Sequence, residues 1–167
     1  MSTRKEPVIA IEKYSEKDST LLKKLLGDPI MMEHLGGPEK EDKIEERHLK
    51  YLNLSGCYTI LYGHEKIAAG WIGYWAREWN NETIWETGWN VLPQFQRKGI
   101  ATLATKMVLE KIKEEKDYRD IHAFPAIDNP PSNAICRKAG FTLVGEVEIE
   151  YPKGNLMKCN DWKYELL

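Results

Sequence analysis

The sequence predicts a mixed α/β fold in which helices flank a central, mostly antiparallel β-sheet. Two observations support this prediction. Segments with strand or helix periodicity follow one another in the order strand, two helices, three strands, helix, strand, helix and two strands. The three middle strands are joined by short turns, which is typical of antiparallel pairing, whereas further along the chain single strands alternate with helices.

The composition is that of a soluble globular protein. The chain has 167 residues, of which 42% are hydrophobic and 30% are charged, and this suits one domain over residues 1–167. The net charge is −2 and the sequence holds no dense basic stripe, so we expect no nucleic-acid partner. The polar start of the chain is unlike a signal peptide, and the longest apolar run, residues 67–75, is too short to span a bilayer. We therefore expect a cytoplasmic protein with no membrane partner.

The cysteines indicate neither disulfides nor a metal site. Cys57, Cys136 and Cys159 are odd in number, far apart, and not in a C-x-x-C pattern. Free thiols in a reducing compartment are the simplest interpretation.

The first third of the chain predicts one strand and two helices. A β-type run covers residues 8–11, and Ser15 with Asp18 resembles a capping box. Leucines at helical spacing follow as far as Gly27, which closes the first helix. Pro38 opens a second, highly charged helical stretch to about Asn53, whose narrow apolar face predicts a position on the surface.

The rest of the chain predicts six strands and two helices. The first hairpin turn is Gly63-His64-Glu65-Lys66, and a second turn is expected at Trp79-Asn80-Asn81. The strongest helix starts at Ile100, because its apolar residues recur along one stripe. The predicted strands are 57–62, 67–75, 83–92, 121–124, 141–148 and 162–166. The last predicted helix covers 131–138.

A basic, glycine-containing segment joins the third middle strand to the strongest helix. It reads Gln96-Arg97-Lys98-Gly99-Ile100-Ala101. A helix N-terminus exposes unpaired N–H groups with partial positive charge, and a glycine lets the backbone approach a ligand closely. These features predict a phosphate or pyrophosphate site; the alternative is a turn with two solvated basic residues. The segment matches neither the P-loop nor the dinucleotide fingerprint.

The flanking residues extend this segment into a family pattern. Val91-Leu92-Pro93 precedes it, and Asn129-Pro130-Pro131-Ser132-Asn133-Ala134-Ile135-Cys136-Arg137-Lys138-Ala139-Gly140-Phe141 follows downstream. Both stretches, with their order and separation, resemble motifs of the GNAT N-acetyltransferase superfamily. The resemblance covers the whole chain and implies a GNAT-like fold and a single acyl-CoA N-acyltransferase domain. Glu86-Thr87-Gly88-Trp89 and Asp28-Pro29 resemble the branch that contains the Rim-type ribosomal-protein acetyltransferases.

The resemblance implies acetyl-CoA as co-substrate. In the family, the strand before the loop splays away from its neighbour, so that backbone groups, here those of Asn90 and Val91, hold the pantetheine arm. Asn129 matches a position that commonly contacts the pantetheine, and Ser132 is a weaker candidate. Asn129 could instead start the turn before Pro130, and Ser132 could be a first-turn cap. The pyrophosphate would bind Gln96, Arg97, Lys98, Gly99, Ile100, Ala101 and Thr102.

Glu86 is the predicted general base. In the family an amine attacks the thioester directly in a ternary complex, so a base must take the amine's proton and a backbone N–H near Val91 stabilises the oxyanion. Glu86 lies in an aromatic-rich strand, where burial would favour its neutral form and suit a base. The alternative is a strand glutamate paired with a lysine or arginine at the sheet surface. His122 and His34 are fallback bases.

Cys136 departs from the family pattern. Many members carry a tyrosine at this position that protonates the leaving thiolate, and a thiol is a weaker donor. We interpret Cys136 as a small buried apolar residue, which leaves the general acid unidentified and lets solvent serve. The missing tyrosine is the only support for the alternative function, a non-catalytic CoA-binding regulatory module.

The acceptor is an amine of unknown identity. A small molecule and a protein N-terminus are both open, and the Rim-type resemblance slightly favours the latter. Trp71, Trp75, Trp85 and Trp89 are expected in the core and Trp79 in an exposed turn, so an aromatic-lined acceptor pocket for an apolar or cationic substrate is a further hypothesis. Many relatives pair through sheet edges, so a homodimer is also open.

Overall fold

The computed structural model describes residues 5–33, 35–151 and 153–166, and seven of its segments are strands. The strands are β1 Ile9–Lys13, β2 Cys57–Tyr62, β3 Ile67–Trp79, β4 Glu82–Val91, β5 Asp120–Ala123, β6 Thr142–Glu150 and β7 Leu156–Glu165. They form one sheet in the order β1-β2-β3-β4-β5-β7-β6. Only β4 and β5 run parallel; the other neighbours are antiparallel. This confirms the predicted mixed, mostly antiparallel sheet.

In the described residues, four α-helices cover the two faces of the sheet. They are α1 Ser19–Leu26, α2 Glu41–Asn53, α3 Ile100–Ile112 and α4 Pro130–Lys138. Helices α1 and α2 share one hydrophobic core with Trp71, and α3 and α4 share the other with Ile72. These two residues are consecutive on β3 and side chains alternate along a strand, so each belongs to a different core. The face that carries α1 and α2 is called the first face below.

The start of α1 follows the predicted cap. Ser15 and Asp18 form a capping box around a 3₁₀ turn, Glu16–Asp18, and the Ser15 backbone N–H donates to Asp18 over 2.8 Å. The helix then buries four leucines on one side and ends at Gly27. The apolar stripe therefore determines how α1 packs on the sheet.

Helix α2 packs on the first face through its narrow apolar side. It begins at Glu41, three residues after Pro38, and buries Ile44, His48 and Tyr51. The Tyr51 ring stacks on Trp71 with centroids 4.6 Å apart, and His48 Nδ1 lies 2.6 Å from the Tyr14 hydroxyl. The charged residues that dominate its sequence occupy the opposite, exposed side.

Two predicted boundaries were wrong. Strand β3 continues four residues past Trp75 and pairs with β4 as far as Trp79 opposite Glu82, so Trp79 is a strand residue and not part of the turn. The turn is Asn80-Asn81, and both residues have positive φ, as a two-residue hairpin requires. Strand β7 starts at Leu156, six residues earlier than predicted, because it forms a long hairpin with β6 whose outer residues lack an apolar pattern.

Strand β4 parts from β5 in the middle of the sheet. It pairs with β3 along its whole length, to Val91 opposite Gly70, but it is in register with β5 only at Trp85–Ile121 and Glu86–His122. Strand β5 ends one residue later, at Ala123. In the described part of the chain, β4 therefore continues beyond Glu86 with no paired strand on its β5 side.

Gly70 controls how closely β3 approaches the end of β4. A Cβ at this position would lie 2.3 Å from the Asn90 carbonyl oxygen and 3.0 Å from the Val91 Cα atom. We expect Gly70→Ala to lower the free energy of unfolding by about 1–3 kcal/mol because the backbones must separate. Differential scanning calorimetry should show a fall in Tm of roughly 2–4 °C per kcal/mol.

Gly145→Ala is the matched control for this prediction. Gly145 also lies in a strand, β6, and a Cβ there meets no described atom within 4 Å. Its Tm should stay close to that of the parent protein. Equal Tm values for the two variants would show that the close approach at Gly70 is not required.

Candidate functional site

The loop between β4 and α3 presents an open helix N-terminus. After a 3₁₀ turn, Pro93–Phe95, the four residues from Gln96 to Gly99 are exposed. Arg97 and Gly99 have φ values of +62° and +78°, and a Cβ at Gly99 would meet no described atom within 4 Å. Gly99 is the N-cap of α3, and no side chain of the described residues caps this helix. Because first-turn amides have no partner within a helix, they point outward toward any bound anion.

The predicted loop residues divide into two kinds. Arg97 and Lys98 are exposed and place positive charge beside the helix N-terminus. Ile100 is a core residue, 1% exposed, and Ala101 and Thr102 are half-buried, so these three offer backbone N–H groups rather than side chains. The structure thus places two basic side chains and an uncapped helix N-terminus side by side, and the binding of a pyrophosphate there stays a prediction.

The end of β4 presents the Val91 backbone to the gap beside β5. The Leu92 N–H donates to the Ala69 carbonyl on β3 over 2.8 Å, and because peptide groups alternate along a strand, the Val91 amide faces the other way. The Gln96 side-chain amide donates to the Val91 carbonyl over 2.9 Å and ties the loop to the strand. Asn90 directs its carbonyl toward Gly70 on β3, so its free group is the side chain.

The second motif forms the start of α4. Asn129 is the N-cap of this helix, and its Oδ1 accepts a hydrogen bond from the Ser132 backbone N–H over 3.3 Å. Both side chains are half-buried. The local capping role is therefore present, and a contact of either residue with a cofactor stays a prediction.

Asn133 is a structural residue that the sequence analysis did not single out. Its Nδ2 donates to the carbonyls of Ala126 and Asn129 over 3.0 and 2.8 Å. Its Oδ1 accepts from Asn160 Nδ2 and from Trp162 Nε1, each over 2.8 Å. This buried amide joins α4 to β7 and to the turn before α4. Its position four residues after Asn129, one helical turn on, was the signal available in the sequence.

Glu86 lies on the first face, at the point where β4 and β5 part. Its Oε2 accepts a hydrogen bond from Trp75 Nε1 over 2.5 Å, and its Oε1 lies 3.0 Å from Arg77 Nη1. The side chain is only 14% exposed. The carboxylate thus lies among aromatic rings and is also paired with an arginine, and its role as a general base stays a prediction.

Arg77 rests on aromatic rings supported by a buried acid. Its guanidinium carbon lies 5.5 Å from the Trp79 ring centroid and 5.1 Å from that of Phe124. Trp79 Nε1 donates to Asp161 Oδ2 over 3.3 Å, and Asp161 Oδ1 lies 2.6 Å from His122 Nδ1. The ring of His122 is thus held by a buried carboxyl group beside Glu86, and the other fallback base, His34, lies outside the described residues.

Aromatic rings connect Glu86 to α2. Trp75, which donates to Glu86, lies 6.2 Å from the Trp71 ring, and Trp71 stacks on Tyr51. Arg47 on the same helix pairs with Glu39 over 2.5 Å and donates to the Tyr151 hydroxyl after β6. Helix α2 and the β6–β7 connection are therefore joined by side chains on the first face.

Cys136 is a core residue, as the sequence analysis favoured. It is fully buried in the core that contains α3, Phe141 and Trp162, and burial raises the pKa of its thiol to about 12. Burial likewise raises the pKa of Cys57 to about 12 and that of Cys159 to about 11. A thiol that remains protonated and enclosed has no access to a reacting group at neutral pH.

Residues 5–33, 35–151 and 153–166 contain no group of three or more His, Cys, Asp or Glu residues that could hold a metal ion. No helix in the same ranges is both long and apolar enough to cross a bilayer.

The comparison with family models identifies the class of protein. Residues 9–142, most of the chain, match the model described as the acetyltransferase (GNAT) domain. The chain therefore belongs to the GNAT family of acetyltransferases. A search of curated proteins gave no significant match.

Solved structures share the fold at low sequence identity. A GNAT-family acetyltransferase from Bacillus anthracis superposes with a TM-score of 0.81 at 22% identity and covers 97% of both chains. A spermidine N-acetyltransferase from Vibrio cholerae, solved with CoA and spermine, gives 0.77 at 16% identity over 95% of both chains. An aminoglycoside acetyltransferase in complex with coenzyme A gives 0.76 at 16% identity, again over 95% of both. These likenesses confirm the GNAT fold.

The buried cysteines predict low thiol reactivity. A thiolate forms only as the pH rises toward its pKa, so thiols with pKa values of about 11 to 12 remain protonated between pH 7 and pH 9. An aromatic disulfide reagent at pH 8 should release almost no chromophore from the native protein. The same reagent should titrate three thiols after unfolding in guanidinium chloride. Rapid native reaction of one thiol would contradict the enclosed position of that cysteine.

Proposed function

We propose that this chain is an N-acetyltransferase that moves an acetyl group from acetyl-CoA to a primary amine by direct attack in a ternary complex. One observation carries the proposal: the open N-terminus of α3, the unpaired side of β4 and the Glu86 carboxylate follow one another along a single strand and loop. An anion site, a backbone edge and a base are the three groups that such a transfer needs.

Acetyl-CoA is the co-substrate. The spermidine and aminoglycoside enzymes of the same fold were solved with CoA, and the outward-facing amides at Gly99 suit a pyrophosphate. In this proposal the pantetheine lies along the Val91 backbone, with side-chain contacts from Asn90, Asn129 and Ser132. The loop residues that hold the pyrophosphate are Gln96, Arg97, Lys98, Gly99, Ile100, Ala101 and Thr102.

The residues around the parting of β4 and β5 then have distinct roles. Glu86 accepts a proton from the acceptor amine, directly or through one water, and the neutral nitrogen attacks the thioester carbonyl carbon. The outward-facing Val91 N–H donates to the oxygen on which negative charge develops. The carbon–sulfur bond breaks, and the nitrogen, which became positively charged on attack, gives its second proton to water. Solvent supplies a proton to the leaving thiolate, because the Cys136 thiol is enclosed in the core.

The acceptor is a primary amine, and the comparisons and the sequence motifs favour different kinds. The spermidine and aminoglycoside acetyltransferases act on small-molecule amines, as their names state. The Rim-type resemblance of Glu86-Thr87-Gly88-Trp89 favours a protein N-terminus instead. A non-catalytic CoA-binding module is the second candidate function, supported by the missing tyrosine at Cys136 alone, and turnover with any amine would exclude it.

Glu86→Gln should separate catalysis from cofactor binding. The amide retains the size of the side chain but accepts no proton, so we expect kcat to fall by about 10²- to 10⁴-fold. The thermal shift caused by acetyl-CoA should be unchanged, because the loop is intact. The measurement is CoA release with a thiol reagent across an amine library.

Glu78→Gln is the control for this substitution. Glu78 lies on β3, is exposed and bonds to Thr83, away from the first face. Its kcat should match that of the parent protein. If Glu86→Gln also retained its full rate, Glu86 would have no part in proton transfer.

Gly99→Glu should abolish acetyl-CoA binding. The added carboxylate lies at the N-cap of α3, where it repels the pyrophosphate and competes for the same amides. Acetyl-CoA at 100 times its Kd stabilises the parent by about 2.7 kcal/mol. This corresponds to a rise in Tm of roughly 2–4 °C per kcal/mol, and the rise should disappear in the variant.

Gly99→Ala is the matched control at the same position. It introduces the same strain at φ +78° but no charge, and its Cβ meets no described atom within 4 Å. Most of the acetyl-CoA thermal shift should remain. If acetyl-CoA raised the Tm of Gly99→Glu as much as that of the parent, the pyrophosphate would have to bind elsewhere.

A further inference from the structure

Arg77 is the charged group nearest to the proposed base. Its Nη1 lies 3.0 Å from Glu86 Oε1, and its side chain is 29% exposed, whereas that of Glu86 is 14% exposed. Strand pairing places the two residues on the same face of β3 and β4, where Trp75 is directly opposite Glu86. The arginine is therefore the more solvent-accessible member of the pair.

The guanidinium is held in one orientation by its surroundings. It lies over the rings of Trp79 and Phe124, which are themselves 4.8 Å apart. The Trp79 indole is fixed in turn by Asp161, which is 2% exposed and paired with His122. A planar guanidinium on aromatic faces directs its N–H groups along its edge. One of its five donors serves Glu86 in the described residues, so the fork is preorganised for a further oxygen.

This geometry limits which amines suit the site. A nitrogen close enough to give its proton to Glu86 lies within a few ångströms of the Arg77 guanidinium. A carboxylate or carbonyl oxygen one or two carbons from that nitrogen can accept a charge-assisted hydrogen bond from Arg77. A second ammonium at the same distance is repelled by the arginine, and Glu86 is already paired and offers little compensation.

We propose that Arg77 is a specificity-determining residue that selects acceptors with an oxygen beside the reacting amine, as in α-amino acids and peptide N-termini. The inference rests on the proposed function and deepens it. Arg77 binds the acceptor oxygen, Glu86 takes the proton, and the Trp79–Asp161–His122 group holds Arg77 in place. Polyamines are poor substrates because they place positive charge where the guanidinium lies.

The test compares acceptors and variants in one assay of CoA release. The acceptors are free alanine, alanine amide, an Ala-Ala dipeptide, n-propylamine and spermidine, each with saturating acetyl-CoA. The variants are Arg77→Met, which retains an apolar stem on Trp79 and Phe124, and Arg77→Lys, which retains the charge and loses the fork. Arg119→Met, at an exposed arginine before β5, is the control.

The inference expects kcat/KM of the parent protein to be highest for an acceptor with the adjacent oxygen. Arg77→Met should lower that value by about 10- to 100-fold, mainly through KM, and should lower the kcat/KM for n-propylamine by a clearly smaller factor. For the acceptor with the adjacent oxygen, the kcat/KM of Arg77→Lys should lie between those of the parent protein and of Arg77→Met. The kcat/KM of Arg119→Met should match that of the parent. A comparison of kcat/KM for free alanine with the values for alanine amide and the dipeptide then tells whether the preferred oxygen belongs to a carboxylate or to a carbonyl.

Two results would overturn the inference. One is a parent protein that prefers spermidine or n-propylamine. The other is an Arg77→Met variant that loses the same factor for every acceptor, which would mean that Arg77 acts only by supporting Glu86. In both cases transfer of acetyl groups still upholds the proposed function. Failure of that function appears differently, as the absence of CoA release with every acceptor, whether or not acetyl-CoA raises the Tm of the parent protein.

Discussion

The separation of β4 from β5 is the constraint on which the site depends. Two registered pairs, Trp85–Ile121 and Glu86–His122, hold the strands parallel, and then β5 ends while β4 continues along β3. The Val91 amide consequently faces a gap rather than a neighbouring strand. Backbone groups without partners are costly when buried, so a strand with a free side needs water or a ligand there. The gap leads directly to the open N-terminus of α3, which has the same property.

The two faces of the sheet differ in what they carry: one holds an apolar core, and the other holds the polar residues of the candidate site. The face with α3 and α4 contains a tightly packed core that includes Ile72, Cys136 and Trp162, and the buried Asn133 amide secures the second motif to β7. The first face is covered by α1 and α2 over β2 and β3. Beyond them it carries the polar and aromatic group around Glu86 and Arg77. Since polar groups in a buried layer need partners, Asp161, His122 and Trp79 satisfy one another beneath the arginine.

The elements that could be predicted from the sequence are those that local physics decides. The capping box at Ser15, the helix from Ile100 and the hairpin strand of residues 57–62 were all predicted from spacing and turn chemistry, and the structure has them. The prediction of a turn at Trp79 was wrong, because the ten-residue pairing of β3 with β4 overrides the local loss of apolar pattern. The role of the Asn133 amide was not predicted, because its hydrogen-bond partners lie up to 29 residues away.

By itself, the sequence determined the mixed fold, the membership of the GNAT family and the loop around Gly99, because periodicity, turn residues and short motifs are local properties of the chain. Only the tertiary structure decided that Glu86 is paired with Arg77 and that His122 is bound to Asp161. The His122 pair joins residues 39 positions apart, on strands that are neighbours only in the folded sheet. No local pattern encodes such a pairing, since it follows from strand order and register, which the whole chain selects when it buries its two cores.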